Sequence, residues 1–290
     1  MNKEFNKGLI LTSLGSFWWG FIGVLYFEYV SFIGHIELVV HRCFWTAIML
    51  ILTTSIFSKW KIFLHIVSEK KNLIALFISG FLIFVNWSVW IFAVATERII
   101  DASFGYFIMP IISVLLGYIF FKEELNQKRI ISIILVLISI FILIFFNLKS
   151  LPWVGIIVAL SWAFYNLVRK KINIDTDVGL LIESLYILPF AIITFYFIVQ
   201  NGSNDFSLLN PGLSLFLILA GPMTVIPLFL YVRGVEIIGL GPTGMIFYIT
   251  PTLQFILGYF YYNEDFSLIK FLSFIIIWIA VIIYLKDLYE

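Results

Sequence analysis

Ten runs of mostly apolar residues divide the chain, at 8–27, 36–57, 73–95, 101–121, 129–147, 151–169, 179–199, 212–232, 241–262 and 267–285. Each has about the 20 residues that a helix needs to cross a hydrocarbon core. The runs are continuously apolar rather than alternating, which predicts membrane helices and argues against a sheet barrel. Connections are short. The longest polar ones, 58–72 and 200–211, are too small for a soluble domain. The first run follows the polar stretch Asn2 to Gly8 and lacks a small-residue cleavage site, so it reads as an uncleaved first span.

One stretch occurs twice. Residues 101–124, DASFGYFIMPIISVLLGYIFFKEE, meet residues 242–265, PTGMIFYITPTLQFILGYFYYNED, after a shift of 141 positions. Pro110 then falls on Pro251, Leu116-Gly117-Tyr118 on Leu257-Gly258-Tyr259, and Glu123 on Glu264. Ile36-Glu37 and Ile182-Glu183 likewise open runs 2 and 7. The chain therefore reads as two related halves, 1–148 and 149–290, of five spans each. Five is odd, so the second half enters the membrane upside down, an inverted repeat.

Composition narrows the class. The 290 residues are 62% hydrophobic and 12% charged, with a mean hydropathy of +1.07; a soluble domain carries roughly 25% charged residues. A net charge of +1 offers no basic field for nucleic acid. Lys and Arg are asymmetric between loops. With the N-terminus cytoplasmic, the outside segments hold only Arg98, Lys149 and Lys270, and Arg42 lies within a span. All the others, including Lys59, Lys122 and Arg169-Lys170-Lys171, fall inside, which predicts both termini in the cytoplasm. Cys43 is the single cysteine, so intrachain disulfides and cysteine-rich metal sites are excluded.

Ionisable groups inside spans are costly and mark candidate sites. Run 2 carries Glu37, His41, Arg42 and Trp45. Glu37 and His41 share a face at i,i+4, while Arg42 and Trp45 at i,i+3 allow a guanidinium to stack on an indole. Glu183 in run 7 is a candidate partner for Arg42 or a titrating group, and His41 a candidate proton carrier. Asn86 and Trp90 in run 3, Tyr106 in run 4, Tyr165 in run 6, and Tyr248 and Gln254 in run 9 could complete a cavity. Buried amides need partners, so Asn86 and Gln254 are expected to point inward. Tyr106 and Tyr248 flank the paired prolines, which kink helices beside cavities. Gly20, Gly105, Gly117, Gly244 and Gly258 read as close-packing positions, and Glu123 and Glu264 as caps of the helix that follows each.

These residues resemble a known family. Ala102 to Ile108 with Pro110, Gly117 and Glu123 is similar to the fourth-span signature of the RarD family, within the drug/metabolite transporter (EamA-type) superfamily. Glu37 with His41-Arg42 and Trp45, Asn86-Trp87, Pro152-Trp153, Tyr165, Arg169-Lys170, Gly179-Leu180 with Glu183 and Pro189, and Tyr248 with Pro251-Thr252 extend the resemblance along the chain. Asn166, where a glycine is usual, and Ser103-Phe104, where serine-leucine is usual, depart from it. The resemblance implies an all-α carrier of ten transmembrane helices in the bacterial inner membrane. It also implies a central cavity lined mainly by spans 1, 3, 4, 6, 8 and 9, and small-metabolite cargo, amino acids among it, often moved outward.

The expected function is alternating-access transport of a small charged or zwitterionic metabolite, export favoured. Arg42 would bind an anionic group or hold a gate; Glu37, His41 and Glu183 would compensate charge or exchange a coupling proton. In this superfamily span 2 can lie away from the cavity, which would make Glu37 and Arg42 a structural network. The expected partners are substrate and lipid, with protons as the candidate coupling ion; no cofactor or metal is expected, and monomer and homodimer stay open. A channel and a structural or enzymatic membrane protein are the alternatives. No repeated selectivity filter, HExxH pattern or GxxxxGK[ST] loop is present, and the aspartates lie in loops or at span ends, so an enzyme is disfavoured.

Overall fold

The computed structural model describes residues 3–95, 99–147, 153–172, 174–207, 209–261 and 268–289. The backbone of 99–104 is described without its side chains. Arg98, Asp101 to Phe104 as side chains, Lys149, Pro152, Glu264 and Asp265 therefore lie outside the described residues. Helices account for nearly all of the rest. The first run is α1 (Lys3–Phe17), a π-turn (Trp18–Ile22) and α2 (Gly23–Tyr29). Then come α3 (His35–Ile56), a short α4 (Trp60–Ser68), α5 (Lys70–Ala95), α6 (Ile99–Phe121) and α7 (Gln127–Asn147). The second half has α8 (Trp153–Ile172), α9 (Thr176–Gln200), α10 (Pro211–Ile238), α11 (Leu240–Ile246), α12 (Ile249–Phe260) and α13 (Leu268–Tyr289).

The fold is an all-α membrane protein. Among the described residues, seven helical segments are long and apolar enough to cross a bilayer. The outer surface is greasy, and the interior, though mostly apolar, also holds buried hydroxyls and charges. On α7, Ile131, Phe141 and Phe145 are exposed while Ser132 and Ser139 are fully buried. Ser139 donates to the Ser273 carbonyl of α13 at 2.9 Å. A lipid-facing helix gains nothing by hiding isoleucine, and it joins its neighbour through small residues and hydroxyls.

Helix contacts come in matched pairs. α1 packs on α10 as α5 packs on α8, and α3 on α10 as α5 on α9. The α6–α8 contact is matched by that of the π-turn and α1 with α12 and α11. The pairs α3–α9, α6–α11 and α7–α13 map onto themselves when the halves are exchanged. α7 and α13 form a peripheral pair with α6 and α12, through a core that includes Val136, Ile140, Ile277 and Val281. The larger core lies among the other helices and holds Trp87, Trp162, Tyr165, Tyr231 and Phe247.

The paired prolines differ locally. Pro110 sits inside the continuous α6. The ninth run instead breaks at Phe247-Tyr248, and Pro251 falls in the first turn of α12. There its missing N–H costs no helical hydrogen bond. Close crossings use glycine: a Cβ on Gly244 would press on Ser113 and the Pro110 backbone, and one on Gly20 would meet the Thr250 backbone.

Candidate functional site

Three polar clusters cross the interior. The central one is built on Arg42, seven residues into α3 and 7% exposed. Its Nε donates to Thr224 Oγ1 on α10 at 2.9 Å. The guanidinium lies 4.5 Å from the Trp87 ring and 5.3 Å from that of Phe27. Among the described residues it has no carboxylate partner within ion-pair distance. Tyr26 and Tyr106 stand within its electrostatic reach, and Trp90 packs on Phe27 at 5.6 Å. Tyr106 continues to Phe247 at 5.7 Å, and Phe247 to Tyr231 at 5.6 Å. Trp19, on the π-turn, packs on Trp162 at 5.0 Å and Tyr231 at 5.7 Å. Such turns recur at functional sites because they re-aim side chains.

The second cluster holds Glu37 and His41 away from that centre. Both Glu37 oxygens accept from the Asp205 amide, at 2.9 and 3.0 Å, and Oε1 also accepts from Phe206 at 3.1 Å. His41 Nε2 lies 3.3 Å from Glu37, and its Nδ1 accepts from Trp45 Nε1 at 3.2 Å. Both ring nitrogens are engaged. The expected Arg42–Trp45 stack is therefore corrected: Trp45 is turned to His41, and Arg42 stacks on Trp87 and Phe27, which reach it from other helices.

The third cluster surrounds Glu183, 2% exposed on α9. It accepts from Ser79 Oγ of α5 and from Tyr165 OH at 3.3 Å, and lies 3.5 Å from Arg169 Nη1. The expected Glu183–Arg42 pair is thereby corrected, because Arg169 of the adjacent α8 claims the acid. Arg169 also lies 3.8 Å from Glu236, and its Nη2 donates to the Thr176 carbonyl at 3.0 Å. A Cβ on Gly179 would collide with Arg169 Nη1, so glycine there makes room for the guanidinium. A cavity of about 10 Å³, enough for one water, is lined by Thr46, Trp87, Glu183 and Ser184 and joins this cluster to the floor of the Arg42 site. Thr46 Oγ1, buried beside it, has no protein hydrogen-bond partner among the described residues.

The sequence matches the EamA-like transporter family over residues 6–145 and again over 150–286. The chain belongs to that family. Its RarD-type character follows from full-length relatives. Protein RarD of Escherichia coli strain K12 is 31% identical over 285 residues, covering 98% of this chain and 96% of that one. The uncharacterized transporter YojE of Bacillus subtilis strain 168 is 32% identical over 286 residues, covering 98% and 95%. A solved crystal structure at 11% identity superposes with a TM-score of 0.71 over 96% of each chain, a likeness of fold alone. Family membership makes the chain a membrane transporter rather than an enzyme, and so directs attention to what could hold a cargo.

The other expected site residues have varied fates. Asn86 is buried, but its amide is spent on the Val158 carbonyl at 2.9 Å and Ser161 Oγ at 3.1 Å, tying α5 to α8. Tyr248 is buried and donates to the Phe107 carbonyl, its repeat mate, at 2.8 Å. Gln254 is half-buried on α12. Trp90 and Tyr106 join the Arg42 site and Tyr165 joins Glu183. Glu123 caps no following helix: it accepts from the backbone N–H groups of Leu240 at 2.9 Å and Gly241 at 2.8 Å, and pairs with Lys170 at 3.3 Å. Arg169, which reads as a loop charge in Arg169-Lys170-Lys171, is wholly buried. Thr224, Phe27 and Glu236 carried no sequence signal as site residues, since each touches the site from a distant helix, whereas Trp87 stands in the Asn86-Trp87 pair that the resemblance singles out. Beyond the spans, Lys59 bridges Asp175 at 3.1 Å and Asp177 at 2.6 Å. Burial opposes the charge on Lys59, yet hydrogen bonds to Asp177 and Asp175 hold its pKa above the ordinary value. Burial is likewise outweighed at Asp175, where hydrogen bonds from Asp177 and Lys59 hold the pKa below its usual value. Among the described residues no group of three His, Cys, Asp or Glu could hold a metal ion.

Proposed function

We propose that the chain is a secondary transporter that docks a negative group of a small charged or zwitterionic metabolite on Arg42 and moves it outward by alternating access. The observation that carries this reading is Arg42 itself, a buried cation with aromatic faces around it and no carboxylate partner among the described residues. A charge held inside a membrane protein without an internal counter-ion is costly unless something else neutralises it, and a substrate anion would do so.

The proposed frame is ten spans in two inverted halves, 1–148 and 149–290, in a bacterial inner membrane with both termini cytoplasmic. Polar bonds between the halves lie on both sides of the centre. In this frame Ser79–Glu183, Glu123 with Leu240 and Gly241, and Lys59–Asp175 would belong to the cytoplasmic end. Glu37 with Asp205 and Phe206, and Tyr26 OH to the Phe216 carbonyl at 2.9 Å, belong to the other. Breaking one set at a time would open the centre to one side only. Glu183, with Tyr165 and Arg169 beside it, is where a coupling proton would exchange.

The test is the extracellular metabolite profile of cells expressing the protein or Arg42→Gln at equal membrane abundance. One or a few small anions should accumulate outside and be lost in the variant. Identical profiles would overturn the proposal.

A further inference from the structure

We infer that the Arg42 site selects an organic monoanion with an aromatic or apolar body and discriminates against zwitterions and cations. The inference rests on the transport reading above and narrows its cargo. An α-amino acid carries its ammonium and its carboxylate on one carbon. Docking that carboxylate on Arg42 therefore brings a second positive charge close to the guanidinium, and the wall would have to supply an acid to hold it.

Among the described residues, the interior acids are committed elsewhere. Glu37 holds the backbone of Asp205 and Phe206 together with His41. Glu183 holds Ser79, Tyr165 and Arg169. Glu236 takes the Thr176 hydroxyl at 2.6 Å and Arg233 at 2.9 Å. An ammonium left without a partner in such a wall is strongly disfavoured. Aromatic faces can replace an acid as a host for cations, but the Trp87 and Phe27 faces already carry the guanidinium, and an ammonium on the next ring, Tyr106, would still stand within electrostatic reach of Arg42.

What the wall does offer is one cation and continuous ring surface. Among the described residues, only the Nε of Arg42 has a hydrogen-bond partner. Both Nη groups can therefore take a carboxylate as a fork. Next to it the packed rings run from Tyr106 to Phe247 and Tyr231, a lining chemically suited to a flat or apolar body.

The test uses the full-length protein in detergent and four probes that share one ring: phenylacetate, phenylacetamide, phenylalanine and phenethylammonium. Binding is read by calorimetry near pH 7.5. Phenylacetate should bind at least tenfold more tightly than each of the others, and Arg42→Gln should erase its advantage over phenylacetamide. Phenylalanine or phenethylammonium binding as tightly as phenylacetate would overturn the selectivity and leave the transport reading standing. Equal binding of phenylacetate and its amide, or no binding by any probe, would overturn the site as well. The four-probe comparison decides the matter in the unaltered protein even if the Arg42 variant fails to fold.

Discussion

Replacing Glu123 with alanine removes a carboxylate that accepts from two consecutive backbone N–H groups, Leu240 and Gly241, and pairs with Lys170. Hydrogen bonds to a charged group contribute about 1.5–3 kcal/mol each. The carboxylate side chain is 18% exposed, so water can partly replace it, and the partly exposed Lys170 pair adds roughly 0–1 kcal/mol. The expected loss is therefore about 2–4 kcal/mol, and at roughly 2–4 °C per kcal/mol the melting temperature should fall on the order of 10 °C. Gly117 supplies the decisive control. A Cβ there would collide with the Glu123 carboxylate, which folds back over it. Gly117→Ala should thus destabilise the protein nearly as much as Glu123→Ala. In the Glu123→Ala background the same change should cost nothing, or stabilise by up to about 1 kcal/mol, because alanine is the better helix former. Melting curves of the two single variants and the double variant, followed by fluorescence-detected size exclusion, give the cycle. Equal cost of Gly117→Ala in both backgrounds, or an unchanged melting temperature for Glu123→Ala, would refute the reasoning.

Glu183→Ala should destabilise by about 3–5 kcal/mol by leaving Arg169 buried with the more distant Glu236 as its counter-charge; adding Arg169→Met should recover part of the loss in the same melt, and no recovery would deny the pair. The Lys59–Asp175 bridge should show a defined pH window. Asp175 has a lowered pKa in the folded state, so its contribution is present above the ordinary carboxylate range, near pH 4, and is lost as pH falls through the lowered value. Lys59 has a raised pKa, so its contribution is present below about pH 10 and is lost as pH rises through the raised value. The melting difference between the parent and Lys59→Met should thus be small, about 1 kcal/mol or less, and should shrink at both extremes, the acid end beginning at a higher pH than Asp175 alone would set because burial raises the pKa of Asp177, the lysine's second partner. Tyr248→Phe should cost about 1 kcal/mol through the lost bond to the Phe107 carbonyl, and a neutral result would show that this carbonyl needs only its helical partner.

The all-α membrane fold was legible because each apolar run is a local property, readable without knowing its neighbours. The cost of Arg42 was legible for the same reason: an arginine seven residues into an apolar helix is anomalous wherever the helix goes. Its surroundings were not. Spacing within α3 offers only Trp45, whereas the rings that take the guanidinium come from positions 27 and 87, on helices whose facing is set by packing. Arg169 was hidden by company, since two lysines follow it and the triplet has the composition of a cytoplasmic loop. The signal that could have found it is Gly179, a glycine with no turn to explain it, left small because a guanidinium lies against it.

Glu37 and Glu123 use the same chemistry in different clusters. Each is an acid of the first half that accepts from two successive backbone amides of the second half, at positions 205–206 and 240–241. A carboxylate facing paired N–H groups is strongly held while dry, because charged hydrogen bonds gain in a low dielectric. It is also released without leaving an orphan once water arrives, since water can solvate amide and carboxylate alike. A side-chain ion pair buried at the same depth would require two full charges to be solvated when it opened, as the Arg169 cluster would. The acid-to-amide bond therefore suits a contact that would form and part in each cycle of the proposed alternating access. Arg42 needs no such bond to the protein if its partner is the cargo that arrives and leaves.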